Sequence, residues 1–241
     1  QVVVTINAEG AMEVLREASP RGQVTSLHYD GPRLFIARFT DDRMVEGSWL
    51  NSAAPVARVS MGMRQVPWGD GGVAIGRLYG DEPRSDGDLR LRSADGTEVV
   101  KPGLRGVRAL ERVVLPTNHN TATDDVLAVC DGWHYAYGRE GDARLALLTG
   151  PTLDTSRTIG WLRGSYTCEQ VIVVPGDGPP ALVVRGSHAV HLLQRDDLGW
   201  TDTPVLPVTE TAQIAVVREA EGTFIYVGGD KSVRIPLERA P

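Results

Sequence analysis

A repeated order of apolar runs and short polar turns constrains the fold of this chain more than any other feature of its sequence. Each copy has a run of four or five apolar residues, a short polar turn and a second, alternating apolar segment. The six copies are VVVTINAEGAMEVL from Val2, LFIARFTDDRMVEG from Leu34, VAIGRLYGDE from Val73, VLAVCDGWHYAYGREGDARLALL from Val126, ALVVRGSHAVHLL from Ala181 and FIYVGGDKSVRIP from Phe224. Their starts are 32, 39, 53, 55 and 43 residues apart, spacings that suit a repeated unit of three or four strands.

Further strand-like runs extend each copy. Five of them precede a copy, namely QVTSLHYDG, VARVSMGM, VRALERVVLP, CEQVIVVPG and QIAVVREAEG, and three supply a fourth strand, namely TEVV, RTIGWL and TPVLP. The segment Ala11 to Ala18 has passable helix composition, but its position in the repeat predicts a strand, and Pro20 and Gly22 follow closely. The 27 glycines and 15 prolines along the chain are typical of many turns.

About twenty short strands joined by turns, without alternating helices, predict an all-β fold. Among such folds, repetition favours a β-propeller, because radially stacked antiparallel sheets bury both faces of each blade and explain the continuously apolar runs. We predict one propeller domain over residues 1–241, with five or six blades of three to four strands. The quasi-repeats lie near 1–19, 20–55, 56–104, 105–162, 163–207 and 208–241, and the two termini are expected to close the ring together.

The repeated order of strands and turns resembles that of FG-GAP or VCBS-type repeats over most of the chain. The resemblance is carried by DDVLAVCDGWH and GPPALVVRGSHAVHLL, where Asp, an apolar run, a Gly- or Asp-containing turn and another apolar strand follow one another. It implies an integrin-like propeller that is exported or lies at the cell surface and binds other molecules. Many members carry a DxDxDG calcium loop, whereas this chain has only the abbreviated turns 176–178 and 86–88.

Composition narrows the classes of partner and compartment. The formal net charge of −6 and the pI near 5.4 argue against nucleic acid and anionic membranes, and no apolar run approaches the roughly 20 residues of a membrane-spanning helix. The chain starts at Gln1, so either a leader has been removed or the sequence begins internally. Its 23 arginines against two lysines indicate a GC-rich bacterial genome. Cys130 and Cys168 lie in apolar runs and are expected to be buried free thiols, with a disulfide as the alternative.

Two histidines form the candidate metal site. His134 and His188 occupy the same turn position in neighbouring copies, and Asp131 lies beside the first of them. In a closed propeller such turns converge at one mouth of the central channel, where two imidazoles and a carboxylate suit a divalent transition ion. The alternative is that each histidine hydrogen-bonds within its own turn.

The longest insertion, residues 131–142, is the first candidate ligand-binding loop. It concentrates Trp133, Tyr135, Tyr137 and Arg139, a set that suits stacking on a sugar ring or gripping a partner protein. The alternative is that its aromatic side chains fold back as an internal plug.

The most polar loop, TNHNTATDD, is the second candidate and belongs to the opposite end of the predicted ring. Asn118 and His119 are its candidate ligand-binding residues, although Asn, Thr and Asp are also what a solvated turn prefers. His28 and His191 lie within strand-like runs and are expected to be structural. No nucleophile elbow, phosphate-binding loop or HExxH motif is present, and Ser165 has no partner residues near it in the sequence.

These features predict a non-enzymatic binding propeller that engages a protein or glycan partner through its loops and works outside the cytoplasm. The alternative is a carbohydrate-active or metal-binding propeller with its site at one mouth of the channel. A third possibility is one part of a larger assembly, in which missing sequence or another subunit completes the short first unit.

Overall fold

A computed structural model of the chain describes most of its residues. The described residues are 2–6, 12–17, 23–30, 33–40, 42–50, 52, 54–60, 63–77, 89–101, 107–116, 123–131, 143–150, 152–153, 155–165, 167–176, 179–196, 199–209, 212–228 and 232–237. Within these ranges the structure is all-β: it has 21 strands and no helix.

The strands form six small antiparallel sheets, A to F, which follow one another along the chain. Sheet A pairs β1 (Val2–Ile6) with β2 (Met12–Glu17). Sheet B comprises, in spatial order, β3 (Gln23–Asp30), β4 (Arg33–Phe39), β5 (Met44–Trp49) and β6 (Ala57–Ser60). Sheet C comprises β7 (Met63–Trp68), β8 (Gly72–Arg77), β9 (Leu89–Arg92) and β10 (Glu98–Lys101).

The second half of the chain repeats this arrangement. Sheet D comprises β11 (Val107–Pro116), β12 (Thr123–Asp131), β13 (Ala143–Thr149) and β14 (Thr155–Leu162). Sheet E comprises β15 (Cys168–Val173), β16 (Ala181–Gly186), β17 (Ala189–Arg195) and β18 (Trp200–Pro207). Sheet F comprises β19 (Gln213–Glu219), β20 (Gly222–Gly228) and β21 (Val233–Pro236). In every sheet, strands that follow one another in sequence are paired neighbours, and no sheet closes into a ring within the described residues.

Three of the apolar runs whose side chains the structure describes, in β4, β8 and β16, are strands buried on both faces. Every residue of β16 is buried: Leu182 and Val184 belong to the core shared with sheet D, and Ala181 and Val183 to the core shared with sheet F. Two-sided burial removes the need for a polar face, so the strand is apolar throughout. This explains why the repeat shows continuous rather than alternating apolar residues.

Neighbouring sheets pack face to face in chain order. Separate apolar cores join B to C, C to D, D to E and E to F. The first strand of each of these sheets also contacts the first strand of the next, so β3, β7, β11, β15 and β19 form a continuous series. Sheets C, D and E therefore lie between two neighbours each.

Two strand predictions have different outcomes. The segment with helix composition near the N-terminus is β2, as the repeat predicts. The run VARVSMGM is not one strand: Ala57–Ser60 is the last strand of sheet B, and Met63 begins sheet C. The error arises because only two residues separate the two strands. No helix long and apolar enough to span a membrane occurs among the described residues.

The prediction of free thiols is wrong. Cys130 of β12 and Cys168 of β15 form a disulfide across the core between sheets D and E, with their Cα atoms 6.0 Å apart. Both residues are fully buried. Each lies in an apolar run because its strand is internal, and that setting suits a disulfide as well as a thiol.

Candidate functional site

Three polar side chains from three different sheets interact beside the series of first strands, two through a direct approach and the third through its charge. They are His28 of β3, Arg64 of β7 and Glu111 of β11, which we call the axial cluster. His28 lies opposite Phe35 of β4 and therefore on the face of sheet B that packs against sheet C. Its position in β3 directs it across β7 toward sheet D.

The geometry of the axial cluster links sheets that are not neighbours. Nδ1 of His28 lies 3.5 Å from Oε2 of Glu111, and the imidazole also hydrogen-bonds the main chain of Gln65 in β7. The side chain of His28 is 12% exposed and that of Glu111 is 32% exposed. The cluster is thus largely enclosed but open to solvent on the Glu111 side.

Burial moves both titratable groups toward their neutral forms. It lowers the pKa of His28 from 6.5 to about 4, and the positive charge of Arg64 adds to the effect. It raises the pKa of Glu111 from 4.5 to about 7, although Arg64 opposes this shift. The distance of 3.5 Å is within ion-pair range but longer than a direct hydrogen bond. We therefore describe the pair between about pH 4 and pH 7 as a neutral imidazole beside a protonated carboxyl group.

Arg64 gives the axial cluster its fixed charge. Nε of Arg64 is buried, and no hydrogen-bond acceptor for it is found among the described residues. A guanidinium stays protonated at any ordinary pH, so a neutral His28 and a protonated Glu111 leave its charge uncompensated within the cluster. Strongly shifted pKa values next to such a charge are typical of functional sites.

A second polar cluster joins sheets D and E. Oγ of Ser165, in the turn after β14, lies 3.0 Å from Nε2 of His191 in β17, and Nδ1 of His191 lies 2.9 Å from Oδ1 of Asp202 in β18. Because a carboxylate only accepts hydrogen bonds, Nδ1 donates to Asp202; in the neutral imidazole Nε2 then accepts from the serine hydroxyl. The order of groups is that of a serine hydrolase triad.

Burial assigns the second cluster a structural role. Ser165 and His191 are both 0% exposed, so the hydroxyl is not presented to a substrate. A Cβ at position 186 would collide with Oγ of Ser165, which explains glycine there. The serine main chain also accepts a hydrogen bond from the Ala143 amide. The cluster therefore fixes the turn after β14 onto sheet E, and the expectation that His191 is structural is confirmed.

Most of the predicted site residues lie outside the described part of the chain. This holds for Trp133, Tyr135, Tyr137, Arg139, Asn118, His119 and His134. His188 is exposed in the turn between β16 and β17, and its carbonyl accepts a hydrogen bond from the Val208 amide. Asp131 is the last residue of β12, and its main chain lies opposite Val107 and Arg144. The described residues contain no group of three or more His, Cys, Asp or Glu side chains able to hold a metal.

Sequence reasoning missed both clusters as units. In the second cluster, His191 is 26 residues from Ser165 and 11 residues from Asp202. In the axial cluster, the three residues lie on three different sheets. The usable signal is positional, since His28, Arg64 and Glu111 are polar residues in three successive first strands. The sequence predicted a structural role for His28, whereas its place in the axial cluster makes it a candidate for function.

The comparisons with known proteins give no family. No protein-family model matches the chain, and no curated protein matches it.

Proposed function

We propose that this chain is a non-enzymatic binding module with the radial sheet arrangement of a β-propeller. The observation that carries the proposal is the 3.5 Å approach of His28 in sheet B to Glu111 in sheet D. Stacked sheets are about 10 Å apart, so in a parallel stack the first and third sheets would be separated by about 20 Å. Sheets that fan around an axis instead bring their first strands together, which supports a propeller. The six sheets that follow one another along the chain support five or six blades.

The disulfide supports a location outside the cytoplasm. Cys130 and Cys168 are bonded, and such bonds persist mainly in the periplasm, at the cell surface and in secreted proteins. The resemblance to FG-GAP repeats agrees with this location. An exported propeller without a nucleophile motif is best suited to hold a protein or glycan partner on a rigid scaffold.

Two parts of the molecule are candidates for contact with the partner. The 131–142 segment, which links β12 to β13, supplies Trp133, Tyr135, Tyr137 and Arg139, residue types that dominate binding energy at interfaces and stack on sugars. The axial cluster supplies a positive charge and hydrogen-bonding groups. We assign the main partner contact to the aromatic segment and a more local polar contact to the cluster.

A glycan array combined with a loop variant tests the proposed function. We expect the wild-type protein to bind a defined set of glycans, and the variant Trp133→Ala/Tyr135→Ala to lose at least tenfold in affinity. Trp161→Ala is the matched control, because Trp161 is a 50% exposed aromatic residue on β14, outside the segment. Equal loss in both variants, or binding unchanged in the double variant, would contradict the assignment.

A carbohydrate-active propeller is the second candidate, and the observation that favours it is Glu111. A partly buried carboxyl group with a pKa of about 7 is suited to act as a general acid. Glycoside hydrolysis also requires a second carboxylate several ångströms away, and the axial cluster holds only one. If the second candidate is right, Glu111→Gln abolishes hydrolysis of bound glycans, whereas a binding module shows no hydrolysis in either form.

A further inference from the structure

The outer edge of sheet F differs from that of the four sheets before it. Sheets B, C, D and E have four strands each, whereas sheet F has three within the described residues. β21 pairs with β20, and on that side the Leu237 amide donates to the Thr223 carbonyl. Because the main-chain groups of an antiparallel strand alternate between its two edges, the amide of Arg234 and the carbonyl of Pro236 point away from β20. Such an edge is a template for a further strand.

The link between β2 and β3 has the length that elsewhere joins a fourth strand to the next sheet. Residues 18–22 separate β2 from β3. Links of five residues also connect fourth strands to first strands at 102–106, 163–167 and 208–212, and a link of two residues does so at 61–62. β2 therefore stands before sheet B as a fourth strand stands before the next sheet. Its pairing with β1 uses one of its two edges.

We propose that β2 is the fourth strand of sheet F, so that sheets B to F close into a ring of five blades with β1 at the outer edge of the last. This inference rests on the radial arrangement in the proposed function and fixes its number of blades. In a ring, sheets B and F are neighbours about 10 Å apart. The five linking residues span that distance, since they reach about 18 Å when extended. The short link to sheet B makes the occupant of the β21 edge a strand of the same chain rather than of a second copy.

The four complete sheets predict which residues of β2 and β21 face each other. In each of them the first residue of the third strand lies opposite the last residue of the fourth: Met44 with Ser60, Leu89 with Lys101, Ala143 with Leu162, and Ala189 with Pro207. The same rule places Val233 opposite Glu17 in an antiparallel pair. Since the main-chain groups of Val233 face β20, this pair is not hydrogen-bonded, and the Cα atoms of such pairs lie about 4.5 Å apart.

The charges at the β21 edge agree with this register. Arg16 falls opposite Arg234, and two like charges alone would destabilise a cross-strand pair. Nη2 of Arg234, however, lies 2.8 Å from Oε2 of Glu219 and 3.2 Å from Oε2 of Glu221. Two carboxylates beside one guanidinium leave one negative charge, which Arg16 would balance.

Disulfide formation in the full chain tests the position of β2. Under mild oxidation we expect Glu17→Cys/Val233→Cys to form a bond within one chain, since a Cα separation of about 4.5 Å suits a disulfide. Glu13→Cys/Val233→Cys is the matched control, because residue 13 lies about 13 Å farther along β2. Peptide mass spectrometry, with the native disulfide intact, should find a yield at least about tenfold higher than in the control.

Hydrogen exchange of the Arg234 amide in the wild-type chain is a second test that needs no substitution. This amide points away from β20, so its protection requires an acceptor on another strand. We expect its exchange to be at least about a hundredfold slower than that of an unpaired amide.

Several outcomes would overturn the assignment of β2. They are equal cross-linking in the two variants, no cross-link in either, or an unprotected Arg234 amide. A link from Glu17→Cys of one chain to Val233→Cys of another would also overturn it and would place a second copy at the β21 edge. Glycan binding that persists in the array while the cross-link fails would remove only the closure by β2. A cross-link without glycan binding would instead remove the binding function and leave the closure.

Discussion

At the scale of single residues, the His28–Glu111 pair makes the pH dependence of stability predictable. Between pH 4.5 and 6.5 the unfolded chain carries one proton on His28, whereas the folded chain carries one on Glu111. Both states bind the same number of protons, so the pair gives no slope in this window. Replacing either residue by one that does not titrate should reveal the pH dependence that the other residue gives to the free energy of unfolding.

We expect Glu111→Gln to make the protein less stable as the pH falls from 6.5 to 4. In that variant only the unfolded state gains a proton on His28, which removes about 3 kcal/mol from the free energy of unfolding if burial of His28 is retained. His28→Asn should show the opposite sign, losing stability as the pH rises from 4.5 to 7, because folding then opposes ionisation of Glu111. Urea unfolding at half-unit pH steps measures both slopes, and parallel profiles for the two variants would contradict the assignment.

The sequence predicted the chemistry of single residues unevenly. It correctly indicated that His191 is structural, because a histidine inside an apolar strand is buried and needs partners. It could not supply those partners, since Ser165 and Asp202 approach only after three strands and a turn have assembled. It erred at Cys130 and Cys168, because an apolar strand around a cysteine does not reveal whether another cysteine lies across the core.

At the scale of elements, the disulfide is a covalent cross-link between β12 and β15. It closes a loop over a sequence separation of 38 residues, which in the chain-entropy description stabilises the fold by about 4 kcal/mol at 25 °C. We expect reduction to lower the urea midpoint strongly, and Cys130→Ala/Cys168→Ala to show the same low midpoint. The urea midpoint of the double variant should be the same with and without reductant. A wild-type midpoint that also stays unchanged on reduction would contradict the stabilising role of the disulfide.

The strands were predictable as elements because each one is a short apolar run bounded by turn residues. Between β7 and β8 the turn contains Gly69 and Gly71, both with positive φ, of 64° and 75°, a conformation in which glycine is favoured. The assignment of strands to sheets failed at Ala57–Ser60, where a sheet ends and the next begins within two residues. In the sequence, turn residues indicate where a strand ends. The sheet to which a strand belongs depends instead on which neighbouring strand it pairs with through main-chain hydrogen bonds.

At the scale of the whole molecule, two arrangements of the small sheets differ in their contacts: a ring and a row. The sequence supports many small sheets in chain order, and the four apolar cores between B and F confirm that order. Order alone is common to a row and a ring, because both place each sheet against its sequence neighbours. A contact between sheets that are not neighbours favours a ring, and the His28–Glu111 contact between sheets B and D is the basis of the propeller that we propose.

A distance between the first and last of these sheets decides between the two arrangements. Leu27 of β3 is 46% exposed and Val217 of β19 is 41% exposed, so both accept a spin label on an introduced cysteine. The native cysteines are bonded to each other and do not compete. In a row, four steps of about 10 Å separate sheets B and F by about 40 Å. In a ring, both first strands surround one axis, and we expect about 20 Å or less.

A second labelled pair makes the result independent of absolute distance. Val99, 44% exposed, lies on β10, the strand of sheet C farthest from β7. In a row, sheet C is nearer to sheet F than sheet B is, so the Val99–Val217 distance should be the shorter one. In a ring, β10 lies at the periphery, so the same distance should be longer than Leu27–Val217. Pulsed electron–electron resonance on the two double-cysteine variants measures this order, and the shorter Val99–Val217 distance would exclude the propeller.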